Sequence, residues 1–512
     1  MSKAGDDIGA GIVYIVGAGP GDAGLITVRG RDLIARADAI VFDSSVNRAL
    51  LPEGARESGH PVLYFVGRRG RDRRKVSGRQ VEELLVRLAR EGKRVVRLTG
   101  GDPFVFGRGG DEAQALYDAS VPFEVVPGIT AGIAAVSYAG IPVTHRGMSA
   151  SVTFVSGTEV PGGRDTQTDW SALARSGGTI VIYAATESIG AIAEALLDGG
   201  MPEEIPAAAV ERGTRRNQRT VTGTLRSIAS VVKTAGLDGP TTMIIGWPVI
   251  LREEMSWFEK RTLYTRRIIV ADPGPLGTTV VELLRELGAE VLQLPAESTA
   301  RLDLSPLRQA MTRLSDFQWL ILTSRHAVTI FWEQLLGSGR DARALAGVSI
   351  ATAGAEAAAA LLEHGIAVDV IPSRFTTDAL LEKLRERDDV AGSQVLFVAA
   401  EGSDRDILEE LSEIGAEVTA IDAYRSIVDD RTTRRVRRAL ESEAADMVVF
   451  TSVASVRSFL AAAGAESLQK VRAASIGESA SDALRNAGVE PECEAAEPTA
   501  ASLAAAVERV LA

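Results

Sequence analysis

Between Arg97 and Gly110 the chain reads RLTGGDPFVFGRGG. Gly100 and Gly101 let backbone approach a bound molecule with no Cβ in the way. Pro103 ends a strand and withholds a donor. Asp102 offers a carboxylate at a strand end, and open α/β sheets bind ligands outside the carboxyl ends of their strands. Two readings stand here: a ligand loop, or a βα turn that only packs.

Two further glycine turns have the same character: GAGPGD (17–22) and PGITAG (127–132). The first invites a dinucleotide-binding reading, which needs glycine at the first, third and sixth positions. Gly17 and Gly19 fit, but Asp22 stands at the sixth position, and Pro20 denies an N–H to a pyrophosphate. A nicotinamide cofactor is therefore disfavoured. The run VGRRGRDRRK (66–75) sets Arg68, Arg69, Arg71, Arg73, Arg74 and Lys75 against Asp72. It is either a solvated loop or a clamp for a polyanion, since arginine pairs bidentately with carboxylates.

The elements that must hold these residues alternate between strand and helix. GIVYIV (11–16) is a strand before the first glycine turn, and a helical pattern through Leu25, Val28, Leu33 and Ile34 leads to a second strand, AIVFD, ending at Asp43. A helix apolar at Val81, Leu84, Leu85 and Leu88 precedes the strand that feeds the central loop, and FEVV feeds PGITAG. From SVTFVSG (151–157) onward the pattern is alternating strands, through TIVIYAAT (179–186) to TTMIIGWPVI (241–250). This alternation predicts an α/β protein whose first half has two lobes. WFEKRTLYTRR (257–267) has no clear period and reads as a linker, after which a new α/β pattern starts at RIIV.

The second half contains an internal repeat. WLILTSRHAV (319–328) resembles MVVFTSVASV (447–456), SIATAG (349–354) pairs with AASIG (473–477), and each copy has a further glycine at the same offset, Gly365 and Gly488. Two copies of one α/β unit predict two lobes with a cleft. Thr-Ser at a strand end is a common helix N-cap. Its presence twice also suits anion binding at helix N-termini.

Composition sets the outer bounds. With 512 residues, 46% hydrophobic and 24% charged, the chain is of ordinary globular composition and long enough for several domains. A net charge of −12 opposes binding to nucleic acid or an anionic membrane. No apolar run is long enough to span a bilayer. MSKAGDDIGA has no signal core, so the cytoplasm is the expected location. Cys493 is the sole cysteine and His60, His145, His326 and His364 are scattered, so no metal site is expected.

Taken together, GAGPGD with LITVRG, VVRLTGGDPFVFGRGG, VPGITAG, AGIPVTHRG, SVTFVSG and a late GT..Q....GTL make the first half, 8–257, resemble uroporphyrinogen-III C-methyltransferase. LTSRHAV, the doubled lobe pattern, FVAAEGSDRDILEELSEIGAEV and IDAYRS make the second half, 265–512, resemble uroporphyrinogen-III synthase. The resemblance implies a two-lobed tetrapyrrole-methylase fold, a linker at 258–264, and a two-lobed α/β synthase fold. Lobe 1 of the latter would be 265–297 and 425–512, and lobe 2 would be 298–424.

The methyltransferase resemblance implies S-adenosyl-L-methionine as cofactor, uroporphyrinogen III as substrate and a homodimer through that half. The cofactor positions fall on Pro20, Gly100, Gly101, Asp102, Val105, Thr130, Ala131, Ala184 and Gly213, with Asp43 as proton acceptor. Arg68 stands where the family has a catalytic lysine, and it stays charged at all working pH. Thr99, Thr158 and Ala184 also depart from the family pattern, as does the segment near Gln80.

The synthase resemblance implies hydroxymethylbilane as substrate and no cofactor. It places an acid on Tyr424 and substrate contacts on Thr323, Ser324, Ser452, Gly477 and Ser479. Ala357 and Ala358 replace a Thr-Ala of the family.

The expectation is thus a bifunctional enzyme that makes uroporphyrinogen III and methylates it twice to precorrin-2, on the sirohaem or cobalamin branch. An enzyme with only the synthase half active is the first alternative. A sensor of tetrapyrrole or S-adenosylmethionine on the same folds is the second, since fold does not fix function.

Overall fold

The computed structural model describes residues 11–52, 61–67, 76–157, 159, 161–163, 166–184, 186–272, 274–294, 298–352, 354–372, 377–402, 405–427, 430–441 and 445–512. It divides into two compact units, Met1–Thr265 and Arg266–Ala512.

The first unit opens with a sheet of five strands: β1 (Ile12–Gly17), β2 (Ala39–Phe42), β3 (Val62–Phe65), β4 (Arg94–Thr99) and β5 (Phe123–Val126). They lie in the order β3-β2-β4-β1-β5 and all pair in parallel. The cause is apolar character on both faces, which a parallel sheet covered by helices requires. Val13 and Ile15 point one way, against Leu85 and Leu88 of α2 (Gly78–Arg90) and Leu116 of α3 (Gly109–Asp118). Val16 and Ile40 point the other way, toward Ile34 of α1 (Val28–Ala35). Each side chain of this size, fully buried, contributes about 1.5–3 kcal/mol. Ser77 starts α2 with a reciprocal capping box to Gln80.

Helix α4 (Ala131–Tyr138) leads out of this sheet to a second one. Its strands are β6 (Val152–Gly157), β7 (Thr179–Ala184), β8 (Pro206–Glu211), β9 (Arg219–Thr224) and β10 (Thr241–Ile245), ordered β6-β7-β10-β8-β9. Only β6 and β7 pair in parallel. Ala135 and Val136 of α4 pack on Val181, Ala208, Val210 and Ile244 of this sheet. The helix therefore joins the two lobes through an apolar contact.

The stretch read as a linker is part of this unit. Phe258 and Leu263 are buried, Tyr264 donates to the carbonyl of Gln218, and the Glu259 carboxylate accepts from Gln218 Nε2 at 2.8 Å and pairs with Arg252. The missing period came from aromatic side chains that pack as a cluster rather than as a stripe. The chain passes to the second unit at Thr265–Arg266.

The second unit has two sheets. One orders β12 (Glu290–Gln293), β11 (Arg267–Val270), β18 (Met447–Phe450), β19 (Arg472–Ser475) and β20 (Cys493–Glu494), all parallel. The other orders β13 (Ser298–Arg301), β17 (Glu417–Ile427), β16 (Gln394–Ala400), β14 (Trp319–Leu322) and β15 (Ser349–Ala351), with β13 alone antiparallel. Strand β17 carries the second lobe past Tyr424 to Ile427. The repeat is visible in the backbone: Gly365 and Gly488 each stop a helix in the left-handed region, at φ 78° and 76°.

Candidate active sites

In the first unit the functional candidates gather at the carboxyl edge of the parallel sheet. After β1 and β4 the glycine turns are stitched together: Gly101 N donates to Gly19 O at 2.8 Å and Ala18 N to Thr99 O at 2.7 Å. A Cβ on Gly17 would lie 2.6 Å from both Gly101 O and Gly128 Cα, so three turns meet backbone to backbone. Asp102 staples the same turns, its Oδ1 accepting from Phe104 N at 2.8 Å and its Oδ2 from Gly128 N at 3.0 Å. The carboxylate thus shapes the loop from within. At Gly101, φ is 67°, yet a Cβ would meet nothing nearer than 3.8 Å. That side of Gly101 is open.

The remaining cofactor candidates come from several elements, Thr130 and Ala131 lying nearest Gly101. Pro20 follows Gly19, and Val105 lies in the loop behind Asp102. Thr130 bonds through Oγ1 to the Tyr183 phenol at 2.6 Å, and Ala131 begins α4. Ala184 ends β7. Gly213 is required by packing, because a Cβ there would overlap Ala135. Burial holds the Tyr183 phenol above its ordinary pKa. Arg68 and Thr158 lie outside the described residues.

Asp43 follows β2 and faces the same edge. Its Oδ1 accepts from Ser45 N at 2.9 Å and from the Ser45 hydroxyl, and Ser45 Oγ accepts from Gly100 N at 3.0 Å. Its Oδ2 pairs with Arg97 Nη2 at 3.1 Å. Arg97 is itself buried and reaches Glu112 Oε1 through Nε at 2.9 Å. Burial raises the Glu112 pKa against the pull of Arg97.

Sequence reasoning assigned no role to Arg97, Glu112, Ser45 or Asp22. The signal for Arg97 was its place in VVRL: strand alternation puts it on the same inward face as Val95, where a charge needs a partner. Asp22, used only to argue against a dinucleotide, ties the lobes. It accepts from Tyr138 Oη at 2.8 Å while its own N–H donates to Thr214 Oγ1 at 3.0 Å. Burial and this carboxylate push the Tyr138 phenol well above its ordinary pKa.

In the second unit Thr323 and Ser324 follow β14, and Ser324 Oγ caps the helix Arg325–Gly337 by accepting from Ala327 N at 3.1 Å. The same oxygen lies 2.7 Å from Tyr424 Oη. Tyr424 sits in β17, buried, with the His326 ring 5.5 Å away. In the other lobe Ser452 caps Val453–Ala463 in a capping box with Ser455. The neighbouring Thr451 hydroxyl bonds Asp272 at the end of β11. Gly477 starts Glu478–Asn486 with open space on its α-carbon, and Ser479 is exposed. Both repeated serines are therefore helix caps, but only Ser324 meets a tyrosine.

Each of the two α/β units gathers polar groups at its strand ends. The family described as tetrapyrrole (corrin/porphyrin) methylases matches residues 12–229, and that described as uroporphyrinogen-III synthase HemD matches 278–505. The porphyrin biosynthesis protein HemD of Ruminiclostridium josui is 33% identical over 93% of this chain and 93% of its own. The uroporphyrinogen-III C-methyltransferase of Bacillus subtilis is 31% identical over 88% and 87%. The uroporphyrin-III C-methyl transferase of Thermus thermophilus, solved with S-adenyl homocysteine, is 34% identical over 47% of this chain and 99% of its own, with a TM-score of 0.39. The chain also spans about half the length of the siroheme synthases it matches, for example 52% of that of Methylobacillus flagellatus.

The chain belongs to the family that joins a tetrapyrrole methylase to a uroporphyrinogen-III synthase. It is an enzyme of tetrapyrrole synthesis with a methyltransferase half and a synthase half. The residues present fit S-adenosylmethionine, the cofactor that the sequence resemblance implies: a cradle of glycine backbones, an open side at Gly101, and hydroxyl and carboxylate groups beside it.

Proposed function

We propose that the second unit closes hydroxymethylbilane to uroporphyrinogen III and that the first methylates this product twice, giving precorrin-2 for sirohaem or cobalamin. The observation that carries the methyltransferase reading is the link Asp43–Ser45–Gly100, which ties a half-buried carboxylate to the glycine cradle. When bound, the sulfonium supplies a methyl group to a nucleophilic ring carbon. The chain's own part is positioning and removal of the proton that the alkylated ring must lose. The glycine turns hold backbone against the cofactor, and Asp43 takes the proton.

In the synthase half, Tyr424 assists departure of the terminal hydroxyl, and Thr323, Ser324, Ser452, Gly477 and Ser479 hold the substrate's carboxylates. The enzyme works in the cytoplasm as a homodimer through the methyltransferase half. Among the described residues no helix is long and apolar enough to cross a membrane.

Purified protein given a supply of hydroxymethylbilane, with and without S-adenosylmethionine, tests this. The expected products are dimethylated tetrapyrrole with the cofactor and uroporphyrinogen III without it. Uroporphyrinogen III in both arms would confine activity to the synthase half. Product in neither would refute the reading.

A further inference from the structure

We propose that Arg97 and Glu112 are positioning residues that set the direction and basicity of Asp43. This rests on the reading of Asp43 as the proton acceptor of methyl transfer.

The three side chains form a line from core to edge. Glu112 is 3% exposed, Arg97 6% and Asp43 25%. Arg97 occupies an inward position of β4 between Val95 and the apolar residues beneath α2 and α3. A guanidinium there is held only by compensating carboxylates. Its fork divides between two of them, Nε to Glu112 and Nη2 to Asp43, while Nη1 donates to Leu98 O at 2.8 Å. Glu112 stands in the first turn of α3, where the helix dipole favours an anion. Its Oε2 has no hydrogen-bond partner among the described residues. The titratable and charged groups that bear on Glu112 from the packed elements are Arg97 on β4, Asp43 after β2 and Glu82 on α2.

The consequence is electrostatic sharing. With Glu112 in place, Arg97 divides its charge between two carboxylates. Neutralising Glu112 gives Asp43 the full attraction of Arg97 and removes a nearby negative charge. Both effects hold Asp43 more firmly in its anionic form and make it a weaker base.

The test is the pH profile of kcat for methylation of uroporphyrinogen III by the full chain at saturating S-adenosylmethionine. In Glu112→Gln the acid limb should move down by about one pH unit, with a lower plateau. Arg97→Lys keeps the charge, but one point donor cannot span both carboxylates. Its plateau should fall at least about tenfold with the limb near that of the wild type. It carries the test if Glu112→Gln does not fold. Lost packing alone would reduce the active fraction without moving the limb. A limb that stays or rises in Glu112→Gln, or a wild-type profile in Arg97→Lys, overturns the proposal. Asp43→Asn separates the levels. If it abolishes methylation while Glu112→Gln keeps the wild-type limb, only the positioning role fails. If Asp43→Asn retains turnover, the proton-acceptor reading fails and the positioning role with it.

Discussion

The Ser324 hydroxyl oxygen lies 2.7 Å from the phenol oxygen of Tyr424 while accepting the helix amide of Ala327 at 3.1 Å. A helix cap and the candidate acid thus share one atom. If the phenol assists the leaving hydroxyl, Tyr424→Phe slows ring closure by about 10²–10⁴-fold. The enzymatic product that remains should keep the inverted isomer, since the fold that holds the substrate is untouched. Chromatographic separation of the isomers after a timed reaction reads both quantities. Wild-type turnover would assign Tyr424 to packing. Ser324→Ala costs about 1 kcal/mol of stability through the cap and also loosens the phenol. Its effect on rate should therefore be less than additive with Tyr424→Phe. Ser452→Ala should cost the cap alone and weaken substrate binding.

Much of this arrangement could be read from the chain. The parallel strands were legible because VVRL, AIVF and FEVV lie in a sheet buried on both faces. The Thr-Ser turns were legible because their spacing repeats. The pairing of Ser324 with Tyr424 was not, since the two are a hundred positions apart and meet only once β14 and β17 flank β16. Asp102 was assigned to the ligand, and each of its oxygens also accepts a backbone N–H of the loop it shapes. A carboxylate after paired glycines serves either purpose, and spacing cannot separate them.

The glycine cradle gives a graded prediction. A Cβ on Gly128 would collide with Gly17 and Gly101 backbone, which cannot move aside. Gly128→Ala should therefore destabilise the first unit and abolish cofactor binding. Gly101→Ala meets open space and carries only the cost of its positive φ, about 1 kcal/mol. Gly101→Val should weaken binding further by filling the approach. Asp102→Ala, by releasing Gly128 N, should weaken binding without direct loss of a ligand contact. Calorimetric titration with S-adenosylmethionine ranks the four. Equal affinity for Gly101→Val and the wild type would place the cofactor elsewhere.

Glu112 makes stability depend on pH. Burial raises its folded-state pKa above the ordinary carboxylate value, so the folded state holds the proton more tightly. Its contribution is complete below the ordinary value and is lost as pH rises through the raised one. Glu112→Gln cannot titrate and removes that slope. The melting temperature of the wild type should fall relative to Glu112→Gln as pH rises above the ordinary glutamate value, about 4.3. A difference constant across that range would mean that Arg97 fully offsets the burial.

The boundary between units is testable by truncation. A fragment beginning at Arg266 should fold and cyclise hydroxymethylbilane alone. A fragment ending at Thr265 should fold, whereas one ending at Ser256 loses Phe258, Leu263 and Tyr264 from its core. Loss of one buried aromatic side chain costs about 3–5 kcal/mol, a large part of a domain's net stability. Thermal melts of the two fragments compare them directly. Equal melting temperatures would return 257–264 to the role of a tether.

The doubled Thr-Ser turn has one more consequence. The two copies of the unit fold alike, yet one serine bonds a phenol, whereas among the described residues the other bonds only its own helix. The symmetry of the backbone is thus broken by a single aromatic side chain on β17. Exchange of the two turns between lobes would leave the architecture standing and leave a serine–tyrosine pair in the lobe that carries β17.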